Sequence, residues 1–103
     1  MSWAHAHIDE LSKGNTVEFL FSGAGMDGAI EPGHLVTIEP IKKERRLRVG
    51  DVILCKVGRI YYLNKILDVY QGRYQIGNAK GRVKGWIPLS HAYGIVVKVS
   101  KPI

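Results

Sequence analysis

The sequence predicts a small all-β domain with at most one short helix near its N-terminus. Six segments show strand-like alternation or enrichment in β-branched residues, and glycine- or asparagine-containing turns separate them. Only one segment has a helical pattern of apolar residues. A length of 103 residues suits one domain, and 46% hydrophobic with 23% charged residues is typical of a globular protein.

The predicted strands are short and closely spaced. They cover Thr16 to Phe21, Leu35 to Glu39, Asp51 to Val57, Ile60 to Val69, Tyr74 to Gly77 and Gly94 to Val99. Gly58-Arg59 lies between two apolar runs and predicts a tight hairpin. Pro40 and Pro88 are expected to end strands, because proline cannot donate a hydrogen bond to a sheet.

The helical pattern runs from Trp3 to Ser12, and Gly14 follows it as a stop signal. At helical spacing, four of its larger side chains share one face: Trp3, His7, Ile8 and Leu11. We therefore expect residues 1–14 to form a short, helical N-terminal segment and residues 15–103 to form a single β domain.

Composition argues against several classes of protein. No apolar run approaches the roughly 20 residues of a membrane-spanning helix, and the first residues lack the basic and apolar regions of a secretory signal. Cys55 is the only cysteine, so an intrachain disulfide is impossible and a buried position in a strand is expected. The four histidines lack the spacing of a zinc site. These features predict a cytoplasmic protein without a metal, a cofactor or a membrane partner.

A thinner set of positive residues lies at Lys80, Arg82, Lys84, Lys98 and Lys101, but the positive charge is clustered most densely in one basic segment. Its positive residues are Lys42, Lys43, Arg45, Arg46 and Arg48. Such a segment is either a solvated connection between strands or an electrostatic surface for phosphates or for an acidic protein. It lacks the interleaved aromatic residues of a single-strand nucleic-acid binder. Nucleic acid therefore remains an alternative partner.

The segment before the second predicted strand carries a recognisable pattern. Gly23, Met26 and Ile30 fit the order Gly-x-Ser-Met-x-Pro-x-Ile, which resembles the nucleophile motif of the S24/S26 serine peptidases, the family of LexA-type repressors and signal peptidases. In this alignment Gly25 occupies the position of the nucleophilic serine. Glycine has no side chain that could attack a peptide bond.

Further fragments with the same resemblance follow in the family's order. They are Val49-Gly50-Asp51-Val52, the strand around Tyr62-Leu63-Asn64-Lys65, Ile76-Gly77-Asn78, Gly85-Trp86-Ile87 and Tyr93 to Val99. The resemblance implies a small, strongly curved sheet of the LexA and signal-peptidase type. It also places Asn64 at the position of the catalytic base, with Lys65 beside it. A neutral amide cannot take a proton from a hydroxyl, so both halves of the Ser-Lys dyad are replaced.

An active enzyme would need a shifted pair, with Ser22 as nucleophile and Lys65 as base. Adjacent strand residues point to opposite faces of a sheet, so this pair would require two compensating departures from the motif. The preferred interpretation is a pseudo-peptidase that binds a protein or peptide as a regulator or inhibitor, of a kind that phages or mobile elements could carry. The expected binding residues are Gly23, Gly25, Met26, Trp86 and the basic residues of segment 42–48. A homodimer through an exposed sheet edge is also open.

Overall fold

The computed structural model describes residues 3–22 and 30–101. It confirms the all-β class, with a strongly curved, seven-stranded antiparallel half-barrel and one short α-helix. In chain order the elements are α1 (His5–Ser12), β1 (Val17–Leu20), β2 (Leu35–Pro40), β3 (Val52–Val57), β4 (Ile60–Tyr70), β5 (Arg73–Gly77), β6 (Val83–Pro88) and β7 (Ala92–Ser100), with a 3₁₀ turn at Leu89–His91. Within the two described ranges, no helix combines the length and apolarity needed to cross a bilayer.

The strand order in the sheet is β1-β2-β7-β3-β4-β5-β6. Strands β3 to β6 form successive hairpins, whereas β7 returns to lie between β2 and β3. The predicted hairpin is confirmed, since Val57 pairs with Ile60 around Gly58-Arg59 and Gly58 has a φ of 60°. Strands β1 and β6 are the two ends of the described sheet.

Strand β6 is the element that the sequence did not predict. Its apolar alternation is interrupted by Lys84 and by Gly85, whose φ is 150°. A β-carbon on Gly85 would also lie 2.9 Å from a methyl group of Val57 on β3, so the sheet curls closely enough there to favour glycine. Pro40 and Pro88 end β2 and β6 as predicted.

The curved sheet buries two hydrophobic clusters, and β3 contributes to both. Leu54 of β3 belongs to the first cluster together with Leu11 of α1, whereas Ile53 and Cys55 belong to the second. Because neighbouring residues of a strand alternate between faces, the two clusters lie on opposite sides of β3. The sheet therefore needs cover on both faces, and α1 supplies part of it for the first cluster.

The helix is shorter than predicted, because Trp3 and Ala4 form a turn that precedes it. Leu11 is buried and Ile8 packs against the first cluster, as the helical face predicted. Trp3 is 49% exposed, and Ala4 is fully buried in its vicinity. Gly14 follows α1 with a φ of 87°, which explains why the helix stops there.

Candidate functional site

A groove of about 620 Å³ has three walls. The first is β1 together with the N-terminal turn and α1, the second is the first half of β4, and the third is the turn before β6 with the start of β6. Its apolar and aromatic lining residues are Trp3, Phe19, Leu20, Phe21, Tyr61, Tyr62 and Leu63. Its polar lining residues are His7, Ser22, Asn64, Asn78, Arg82 and Lys84. The volume is in the range of ligand sites in proteins, and the open shape suits a segment of chain.

The β1 wall of the groove is a packed set of rings. The His7 imidazole stacks on Phe19 with ring centroids 4.4 Å apart and planes 18° from parallel. Trp3 approaches the same phenylalanine at 6.0 Å in a tilted arrangement. These contacts join the N-terminal turn and α1 to β1, so this wall is held by side chains from two elements.

The β4 wall carries two tyrosines whose rings are held by neighbouring side chains. The Tyr61 hydroxyl lies 3.2 Å from His5 Nε2, and the Lys56 ammonium lies 5.3 Å from the centre of the Tyr61 ring. Tyr62 follows Tyr61 in the strand, and the Lys84 ammonium lies 5.5 Å from the centre of its ring. Both distances are within the range of cation–π attraction. The Lys84 charge is thereby kept at the groove.

The third wall is a turn that Asn78 organises. Its Oδ1 accepts hydrogen bonds from the backbone N–H groups of Lys80 at 3.0 Å and Arg82 at 2.9 Å. The turn presents Arg82 to the groove, whereas Lys80 is exposed and is not a lining residue. None of the described lining residues carries a carboxylate. Among the described residues, the groove therefore has a positive end that no acidic side chain offsets.

Asn64 is the most buried polar residue at this site. Only 2% of its surface is exposed, and Oδ1 has no hydrogen-bond partner among the described residues. Leaving an amide oxygen buried and unpaired destabilises a fold by about 1–3 kcal/mol. Asn64 contributes to the wall of the groove, but its Oδ1 is itself shielded from solvent.

Ser22 and Lys65 do not share the groove. Ser22 is exposed and lines it, whereas Lys65 is absent from the lining. Lys65 pairs with Val52 of β3, and Asn64 pairs with Ile53. By strand alternation, Lys65 shares a face of β4 with Tyr61 and Leu63, but the groove lining on β4 ends at Asn64.

The other predicted binding residues are spread over the molecule. Gly23, Gly25 and Met26 lie outside the described residues. Trp86 is on β6, 41% exposed, and is not part of the groove.

The basic residues of segment 42–48 are exposed between β2 and β3. Part of this segment surrounds a separate shallow depression, which Glu44 and Asp51 line together with Arg45, Arg46 and Arg48. Asp51 Oδ2 accepts a hydrogen bond from the Arg48 backbone N–H at 2.9 Å. Carboxylates thus accompany the arginines in this depression.

Sequence reasoning missed most of the groove. Phe19, Tyr61, Tyr62, Arg82 and Lys84 belong to strands or turns that are distant in the chain, and no local motif marks them. The sequence marks Asn78 as part of the Ile76-Gly77-Asn78 fragment and of the turn that follows it, but not as a lining residue of a groove. The positive residues beyond segment 42–48 are visible in the sequence as a second, thinner basic set. The sequence alone does not show that two of them, Arg82 and Lys84, lie beside the aromatic walls of a groove.

Burial shifts the pKa of two further groups among the described residues. Burial raises the pKa of the Cys55 thiol to about 12, which keeps it protonated and inert at neutral pH. Burial also raises the pKa of the Tyr93 hydroxyl. Residues 3–22 and 30–101 hold no group of three His, Cys, Asp or Glu side chains able to bind a metal ion.

Comparison with known proteins gave no match: no family model, curated protein or solved structure was significantly similar to this chain.

Proposed function

We propose that the chain is a catalytically inactive relative of the S24/S26 peptidases that binds an extended peptide segment of a partner protein. The observation that carries the proposal is Asn64: a neutral, buried amide residue lines the groove at the position where the resemblance expects a base. An amide in this place can accept a hydrogen bond from a bound peptide, but it cannot activate a nucleophile.

The sheet edge supports an extended ligand. Strand β1 is a terminal strand that pairs only with β2 among the described residues, and Phe19 to Ser22 line the groove beside it. Leu20 is 64% exposed at this edge. A peptide can add to such an edge by main-chain hydrogen bonds while its side chains enter the groove.

The position of Lys65 favours binding over catalysis. A Ser22–Lys65 pair needs the ammonium nitrogen close to the serine hydroxyl, yet Ser22 lines the groove and Lys65 does not. In the proposed role the protein acts in the cytoplasm as a regulator or inhibitor of its partner, with the basic segment 42–48 as a second electrostatic contact.

A screen for peptide binding combined with a turnover assay tests this function. A library of extended peptides is titrated against the isotope-labelled protein, and the backbone amides are followed by NMR. We expect shifts concentrated at Leu20, Ser22 and Asn64, with peptides recovered intact by mass spectrometry. Cleavage that Ser22→Ala abolishes would establish the enzyme instead. Shifts confined to segment 42–48, caused by oligonucleotides and lost at moderate salt, would establish nucleic-acid binding.

A further inference from the structure

We propose that the groove selects acidic peptide segments, a preference that rests on the proposed peptide-binding function. Arg82 and Lys84 line one end of the groove, and none of the described lining residues is acidic. Charge complementarity of this kind sets the specificity of a binding site more than its total affinity. The occupant is therefore an extended segment of a partner protein with an Asp or Glu side chain near that end.

The Lys84 cation and the backbone of Arg82 are held in place before any ligand binds. The Lys84 ammonium rests over the Tyr62 ring at 5.5 Å, and the turn that carries Arg82 is fixed by two hydrogen bonds to Asn78 Oδ1. A positioned cation loses less conformational freedom on binding than a free surface lysine does. A carboxylate thus meets preorganised positive charge at this end of the groove.

Asn64 defines a second recognition element. Its Oδ1 has no partner among the described residues and is shielded from solvent, so the side chain must turn toward the groove to accept a hydrogen bond from a backbone N–H of the bound peptide. A carboxylate cannot satisfy this atom. The groove therefore distinguishes a main-chain donor at Asn64 from an acidic side chain at Arg82 and Lys84.

The arrangement of the rings favours a peptide over single-stranded nucleic acid, which would also be anionic. Nucleic-acid sites of this kind offer aromatic faces for bases to stack on. Here His7 covers a face of Phe19, Lys56 lies over Tyr61, and Lys84 lies over Tyr62. The protein's own side chains thus already occupy one face of each of these three rings.

A second copy of this chain is also a poor match for the site. The chain carries 15 Lys and Arg residues against 9 Asp and Glu residues, so two copies repel each other. Of its acidic residues, Asp9 and Glu10 lie within helix α1 and already pair with Lys13. An acidic segment from a different protein is the better complement.

The test compares matched peptides and matched charge variants. Blocked ten-residue peptides containing Asp or Glu are measured by fluorescence anisotropy against the same peptides with Asn or Gln, and against Lys or Arg versions. The protein is wild type, Lys84→Glu or Lys80→Glu. Both variants change the net charge equally, but only Lys84 lines the groove, so Lys80→Glu is the control.

We expect acidic peptides to bind wild type roughly tenfold more tightly than their amide versions, and Lys84→Glu to remove that difference. Lys80→Glu should keep it. Equal binding of acidic and neutral peptides, with NMR shifts still at Leu20, would overturn the acidic preference and leave peptide binding intact. Equal weakening of binding by Lys80→Glu and Lys84→Glu would also overturn the acidic preference.

Two further outcomes would also count against the proposal. If no peptide of any charge binds, the acidic preference and the proposed function fail together. If a single-stranded oligonucleotide displaces every peptide and shifts Leu20 and Asn64, the occupant is nucleic acid.

Discussion

Replacing Asn64 with leucine should stabilise the protein while weakening peptide binding. Leucine has the same number of side-chain heavy atoms and the same branching as asparagine, so it removes the unpaired Oδ1 without leaving a cavity. The buried oxygen carries a desolvation penalty of about 1–3 kcal/mol that no hydrogen bond offsets. We expect the free energy of unfolding to rise by about 1–2 kcal/mol, or roughly 5 °C in Tm for each kcal/mol in a domain of this size.

A matched control is available in the same groove. Asn78 Oδ1 accepts two backbone hydrogen bonds, from Lys80 and Arg82. The equivalent change Asn78→Leu leaves those two N–H groups without their partner, so it should destabilise the protein by about 1–3 kcal/mol. The two Asn→Leu variants are thus predicted to shift stability in opposite directions. Urea denaturation with equal m-values for all three proteins measures both changes.

The result that refutes this reasoning is destabilisation by Asn64→Leu. It would mean that the Asn64 side chain makes a hydrogen bond that holds the fold together. In that case Asn64 would be a structural residue and not a recognition element. An increase in stability together with unchanged peptide affinity would refute the second half of the prediction. The Asn64 oxygen would then make no hydrogen bond in either the free or the peptide-bound protein.

Four other predictions follow from the structure. Because the folded state holds the Cys55 proton more tightly, with a pKa of about 12 against an ordinary 9.0, the stability that this group contributes is complete below pH 9 and is lost as pH rises toward 12. Wild type should therefore lose about 1 kcal/mol more than Cys55→Ala between pH 8 and pH 10 in urea melts. Gly94→Ala should destabilise by about 2–3 kcal/mol in thermal melts, since its β-carbon would lie 2.5 Å from Ile38 Cγ2 and 2.8 Å from Leu11 Cδ1; a change below 0.5 kcal/mol would contradict this packing. Ser22→Ala should leave peptides as intact as wild type does, by mass spectrometry. Lys43→Glu with Arg46→Glu should weaken any salt-sensitive binding of nucleic acid while leaving the melting temperature unchanged; an equal loss of groove binding would contradict the separation of the two surfaces.

The strands were predictable from sequence wherever their signals were local. Ile60–Tyr70 combines β-branched and aromatic residues between two tight turns, so its alternation and its hairpin partner were both visible. The position of β7 between β2 and β3 was not predictable from sequence. That pairing joins segments more than 35 residues apart, and no turn specifies it.

The groove was less predictable than the strands because its walls depend on the curvature of the sheet. Phe19, Tyr61 and Lys84 resemble any half-buried strand residues in the sequence, and only the folded sheet brings them to one site. Asn64 was the exception. A motif marks its position in the sequence, and the structure places it, buried, at the wall of the groove.

The burial of Asn64 also constrains what the groove can do. A lysine or histidine base in the same place would need to shed its proton in a site that already contains Arg82 and Lys84, and these positive charges would favour the loss of that proton. With a neutral amide there instead, the same cations have no base to tune. In the proposed role they attract an anion that approaches from solvent. A neutral asparagine at the position where the resemblance places a base therefore suits a groove whose charges act in recognition.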